Sequence, residues 1–251
     1  MAQLLQMLRE ASGQITPALP VWEKAGRYFD AQRPSVEPNG LESEELVMRH
    51  RESHLACVRR VFAQADLLVF TFGLTEAWVH SETGTVYPTA PGTIAGNYDP
   101  AVFSFKNYEC HEVVRDFELI RARLKKANPS LRFLLTVSPV PLAATASGHH
   151  VEVASTYSKA VLRAACGALQ QRHADIDYFP SFELITSQNT RGVYYEPDQR
   201  NVSPIGVDAA MGLFLSAHRI SSEKPVSNSP AGPETMQQGL VCEEALLEAF
   251  R

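Results

Sequence analysis

Two uninterrupted apolar runs, each opening into a short polar loop, set the narrowest limits on what this chain can fold into. The first covers Asp66 to Trp78 (D-L-L-V-F-T-F-G-L-T-E-A-W), the second Leu131 to Leu142 (L-R-F-L-L-T-V-S-P-V-P-L). A strand with one wet face alternates apolar and polar residues. Runs this continuous predict strands buried on both faces, as in a parallel sheet covered by helices. Ligands of such open sheets bind beyond the carboxyl ends of the strands. Gly73-Leu74-Thr75-Glu76 and Val137-Ser138-Pro139-Val140 are therefore the first places to look for chemistry.

The bulk properties exclude several classes. At 251 residues, 45% hydrophobic and 20% charged, the chain suits one large α/β domain with or without a tail. A net charge of −5, a pI near 5.9 and the lack of a dense Lys/Arg cluster argue against nucleic acid as a partner. Cys57, Cys110, Cys166 and Cys242 lie far apart without C-x-x-C spacing, so neither a disulfide framework nor a zinc site is expected. No apolar stretch reaches the roughly 20 residues of a membrane helix, and no export signal is visible. The chain reads as soluble and cytoplasmic.

Helical periodicity predicts a first helix over Ala2–Ala11 and a second one capped by Ser43, with Glu44 and Glu45 in its first turn. Val47, His54, Leu55, Val58, Val61 and Phe62 form its apolar face. Residues 16–40 read as an irregular packed excursion. The first strand is expected over Asp66–Phe72. Val79 to Asn107, rich in Gly and Pro, reads as a long lid-like loop. A helix carrying Val113, Val114, Phe117, Ile120 and Leu124 follows and stops at Asn128-Pro129. Next come a strand over Phe133–Val137, a helix over Glu152–Leu169 and a strand over Ile176–Phe179. The last helix opens at Ser203-Pro204, with Val207, Met211 and Phe214 on its inner face. Strand and helix alternate, which predicts a doubly wound sheet. Residues 1–220 are expected to form the α/β domain. Residues 221–251 are expected to form a flexible Pro/Ser-rich tail ending in a short helix over Val241–Phe250.

Several constellations compete for a chemical role. Gly73 lets the backbone approach a ligand, and Thr75 offers a donor to a developing oxyanion, with Glu76 and Trp78 shaping the mouth. The alternative is a tight strand-to-loop turn over a buried Trp. Asp198 precedes Asn201 by three residues just before the last helix. An Asp and a His at that spacing would supply two members of a triad, but a carboxamide does not titrate and cannot act as the base. Losing a base typically costs about a hundred- to ten-thousand-fold in rate. The alternative is that Asp198 caps its loop and Asn201 makes a turn. Ser138 lacks the G-x-S-x-G elbow of a nucleophile and reads as bonding its own backbone. His150, beside His149 in the Gly148 loop, is the best candidate for a displaced base. His54 reads as a core histidine and His80 as facing the cleft. Tyr157-Ser158-Lys159 lacks the Tyr-to-Lys spacing of a dehydrogenase dyad, and no phosphate-binding glycine loop is present. No cofactor and no metal is expected.

The runs Phe70 to Trp78, Val86 to Thr93 (V-Y-P-T-A-P-G-T) and Leu134 to Leu142 resemble those of the GSCFA-domain family. So do Thr156 to Arg163 (T-Y-S-K-A-V-L-R), Tyr178 to Glu183 (Y-F-P-S-F-E) and Asp198 to Val207. The resemblance covers about Ala2 to Phe214. The family is similar to SGNH/GDSL-type esterases and acyl-ester hydrolases. It implies a flavodoxin-like three-layer sandwich, with Gly73 and Thr75 at the oxyanion block, Asp198 as the triad Asp, and Asn201 where the His is expected. Two departures stand out. The namesake Gly-Ser-Cys-Phe-Ala segment, which would supply the nucleophile and the first strand, does not occur in the sequence, and the base position holds Asn201. A truncated gene product or mis-assigned start is the expectation, with an oligomer or partner covering the place of the missing strand.

Two functions of different classes follow. One is an esterase or O-acyltransferase acting on a small-molecule or saccharide ester. The other is a catalytically dead module that binds a glycan or a protein.

Overall fold

The computed structural model of the chain describes residues 1–218. In chain order the elements are α1 (Ala2–Ala11), β1 (Val21–Lys24), β2 (Arg27–Asp30), α2 (Glu44–Gln64), β3 (Leu67–Phe72), β4 (Glu76–His80), β5 (Val86–Tyr87) and β6 (Phe103–Asn107). They continue as α3 (Cys110–Ala127), β7 (Arg132–Val137), α4 (Val151–Arg172), β8 (Ile176–Tyr178), α5 (Ser181–Thr186) and α6 (Pro204–Ala217). The backbone divides into one compact unit over Met1–Phe182 and a second that starts at Glu183. The predicted tail over 221–251 lies outside the described residues.

The protein is α/β. The two apolar runs become β3 and β7, paired in parallel from Leu67↔Arg132 to Phe72↔Val137, and β8 joins β7 in parallel to give the order β3-β7-β8. Because side chains alternate across a sheet, Phe70 and Phe72 fall on one face with Phe133, Leu135, Val137 and Ile176. That face packs against α1, α3 and α4 in one apolar cluster with Phe117 and Ile120 at its centre. Phe117 packs on Phe72 and on Phe133 at centroid distances of 5.9 and 5.7 Å. Each such buried side chain contributes about 1.5–3 kcal/mol.

The prediction that both strands are buried on both faces holds for β7 and fails for β3. β3 is an edge strand among the described residues. Its second face alternates to the outside, leaving Leu67 and Val69 40% and 50% exposed. Continuous hydrophobicity does not separate a central strand from an apolar edge. The predicted inward face of α6 also fails, since Val207 and Met211 are exposed and Gly206 is its one buried residue. In α2 Val61 is exposed, because Leu55, Val58 and Phe62 are the residues of its last turns that reach the core.

The stretch from Val79 to Asn107, expected as one long loop, instead contributes strands to a second sheet, with loops between them. β4 pairs antiparallel with both β5 and β6, in the order β5-β4-β6. Residues 16–40 likewise hold a hairpin, β1-β2, turned by Ala25 and Gly26, both at positive φ (51° and 74°). Primed two-residue turns require that geometry, and an Ala in the first place hides the signal that Asn-Gly would give. Hairpin and sheet share an aromatic core of Trp22, Phe29, Tyr87 and Phe103.

Polar side chains tie these parts to the helices. Gln6 of α1 bonds both sides of Val86, its Nε2 donating to the carbonyl at 3.0 Å and its Oε1 accepting the N–H at 2.8 Å. Arg51 of α2, buried, donates Nε to Glu10 Oε1 and Nη1 to Asp30 Oδ1, both at 2.6 Å, and pairs through Nη2 with Glu10 Oε2 as well.

Candidate functional site

Gly73, Leu74 and Thr75 connect the last rung of β3 to the first residue of β4, so one short loop joins the parallel and the antiparallel sheets. The loop is held from behind by α4. Ser155, Ser158 and Lys159 are all buried there, at the spacing that puts residues on one helix face. Ser158 Oγ accepts the Thr75 N–H at 2.9 Å, and Lys159 Nζ donates to the Gly73 carbonyl at 2.9 Å. Ser155 Oγ accepts the Leu142 N–H at 2.9 Å, tying the segment after β7 to the same helix face. The predicted ligand-facing loops of both strands thus rest on one set of polar side chains.

These bonds decide which donors remain. The Thr75 N–H is spent on Ser158, and its carbonyl accepts the Tyr108 N–H at 2.9 Å. The hydroxyl is different: Thr75 is 1% exposed, and its Oγ1 has no hydrogen-bond partner among the described residues. The N–H groups of Gly73 and Leu74 also meet no acceptor among the described residues. Beside Gly73 there is room, for a Cβ built there would meet nothing within 4 Å. Glu76 is oriented by the Thr145 hydroxyl, which lies 2.6 Å from Oε1, and Trp78 packs edge-on against Tyr98 and Phe105.

The other candidates sit in local turns. Ser138 Oγ accepts the Val140 N–H at 3.2 Å, while its own N–H extends the ladder to the Phe72 carbonyl. His150 is the N-cap of α4, its Nδ1 accepting the Glu152 N–H at 3.3 Å. No described serine hydroxyl is bonded to a histidine ring, and no group of three His, Cys, Asp or Glu among the described residues is placed to hold a metal.

Asp198 and Asn201 belong to the second unit and are bonded to each other. Asp198 Oδ1 accepts the N–H groups of Arg200 and Asn201, both at 2.9 Å, and Oδ2 accepts Asn201 Nδ2 at 2.7 Å. Bonds from the Arg200 N–H first, then the Asn201 N–H, hold this exposed carboxyl below the usual carboxylate range. The turn leads through Ser203, whose Oγ accepts the Gly206 N–H, into α6.

Sequence reasoning missed Ser155, Ser158, Lys159 and Thr145. The available signal was the placement of two serines and a lysine among Ala154, Leu162, Ala165 and Leu169 on the core face of a helix. A buried polar group there needs a specific partner.

No curated protein matches the chain. The family model described as the GSCFA family matches residues 1–214, spanning the parallel sheet, the Gly73–Thr75 loop, α4 and the Asp198 turn. The chain belongs to the GSCFA family.

Proposed function

We propose that the protein binds the acyl group of an ester as SGNH-like esterases and O-acyltransferases do, with the Gly73–Thr75 loop receiving the carbonyl oxygen. The reading takes the parallel strands as part of a flavodoxin-like three-layer sandwich within a domain of residues 1–220, followed by a separate tail over 221–251. One observation carries it: at a strand's carboxyl end the Gly73 and Leu74 N–H groups have no acceptor among the described residues, with open space beside Gly73, and the next residue in the loop, Thr75, keeps a buried hydroxyl without a partner. Donors set out in advance and left free of other acceptors are what a developing oxyanion needs.

Binding without turnover is the form of this activity that the side chains favour. Asp198 spends both oxygens within its own turn, and its partner Asn201 carries no titratable proton. A site with oxyanion donors but no activated nucleophile retains only the rate that binding and electrostatics supply.

The test has two arms. A phosphonate monoester, mimicking the tetrahedral intermediate, is titrated into ¹⁵N-labelled protein, with shifts expected at the Gly73 and Leu74 amides. Hydrolysis of p-nitrophenyl acetate is compared for the protein and Asp198→Ala, with equal rates expected. Absence of amide shifts would remove the ester reading. A rate well above buffer that Asp198→Ala abolishes would make the protein a hydrolase.

A further inference from the structure

Lys159 brings a cation onto the core face of α4, where it is 6% exposed, and its Nζ donates to the Gly73 carbonyl at 2.9 Å. Burying an ammonium is costly unless it is bonded. Tying a carbonyl at the end of a strand does not need a charge. At the end of β7 the Val137 carbonyl is held by the Ser181 hydroxyl at 3.2 Å. The ties from α4 to Thr75 and Leu142 use serine hydroxyls as well. Of these four ties, the one to Gly73 alone carries a charge.

Peptide geometry carries that charge to the open side of the loop. No peptide bond is cis among the described residues. The Gly73 carbonyl and the Leu74 N–H therefore belong to one flat trans group and point in opposite directions. With the carbonyl held by Lys159, the Leu74 N–H faces away from the ammonium. Leu74 is half-buried, and this N–H meets no acceptor among the described residues. A cation at the carbonyl draws electron density from the amide nitrogen, and hydrogen bonds in series strengthen one another. The Leu74 N–H is thus a stronger donor than an ordinary amide. The Gly73 N–H is its natural control. The carbonyl of that peptide group, Phe72, accepts the Ser138 N–H at 2.9 Å, a bond between neutral groups.

We infer that Lys159 is a positioning residue of the ester site, aiming the Leu74 N–H at the incoming oxygen and biasing the loop toward an oxygen that carries negative charge. The inference rests on the acyl-ester reading of the loop and adds what the site selects, the tetrahedral anion over the neutral ester. Lys159 acts through the Gly73–Leu74 peptide and touches no ligand itself. No covalent step is involved.

The experiment compares two ligands on the full ¹⁵N-labelled chain: the phosphonate monoester, an anion, and its methyl diester, which is neutral. The parent is expected to bind the anion at least about tenfold more tightly, the scale of one charge-assisted hydrogen bond. The larger shift on binding should fall at Leu74 rather than Gly73. In Lys159→Gln the free protein should show a moved Leu74 amide and an unmoved Gly73 amide. Its affinity for the anion should fall about tenfold while the diester changes little, and Lys159→Arg, which keeps the charge, should recover the anion. Equal weakening of both ligands in Lys159→Gln would make Lys159 a strut and overturn the inference. A parent indifferent between the two ligands overturns it even if neither variant folds. In both cases the ester reading stands as long as the Gly73 and Leu74 amides respond. A parent whose amides respond to neither ligand removes the ester reading, and this inference with it.

Discussion

Ser158 accepts the backbone N–H of Thr75 at 2.9 Å, across 83 positions of sequence, and is completely buried in doing so. This bond decides which way the loop after β3 presents its remaining donors. Ser158→Ala leaves the Thr75 amide buried and unpaired, at a cost of about 1–3 kcal/mol. Urea unfolding should show that loss, and the phosphonate should bind more weakly than to the parent.

Gly73→Ala tests the loop from its open side. The residue lies outside the left-handed region, and the added methyl meets nothing within 4 Å. The substitution should therefore change stability little while occupying the space where a ligand would approach. An unchanged melting temperature together with lost amide shifts is the expected pair of results.

Arg51 links α1, α2 and β2 through Glu10 and Asp30. Arg51→Met removes one cation and leaves two buried carboxylates facing each other. Breaking a buried pair from one side costs about 3–5 kcal/mol. Replacing Glu10, Arg51 and Asp30 together with apolar residues of similar size should restore much of that loss, as denaturant midpoints of the two variants would show.

Burial pushes the phenols of Tyr87 and Tyr108 up to about 12 each. A pKa raised on folding means the native state holds its proton where the unfolded chain has released it. The associated stability is complete below the ordinary tyrosine value near 10 and is lost as pH rises through about 12. Urea midpoints measured from pH 8 upward should stay level as far as tyrosine is concerned, then fall above about 10. Tyr87→Phe, which also gives up the 2.6 Å bond to the Ala18 carbonyl, should fall less steeply.

Val69 stands half exposed on an edge strand with no neighbour on its free side among the described residues. Apolar edges of this kind promote association between chains, and a lysine blunts them. Val69→Lys should leave unfolding free energy within about 0.5 kcal/mol and lower the mass seen by light scattering at high concentration.

Helix starts were legible because capping chemistry is local. Ser43 and Ser203 bond the residues three positions on, as their sequence context implied. The parallel pair was legible from the apolar density of the two runs. The antiparallel sheet was not, because its strands are short and the glycines and prolines between them resemble those of a loop. Gly73, Thr75, Glu76 and Trp78 could be named from position alone. Ser158 and Lys159 could not be given their roles, since a partner 83 or 86 residues away leaves no trace in spacing. At Asp198 the sequence admitted either a triad remnant or a turn, and the Asn201 side chain turned back onto its carboxylate shows that the turn is formed.

The three residues between Phe72 and Glu76 leave almost no slack. Anything seated at this bracket therefore pulls on both ladders at once. Deuterium uptake should slow together at Phe72 and at Trp78, although one amide belongs to a parallel ribbon and the other to an antiparallel one. A molecule lodged elsewhere on the surface would have no reason to quiet the two in step.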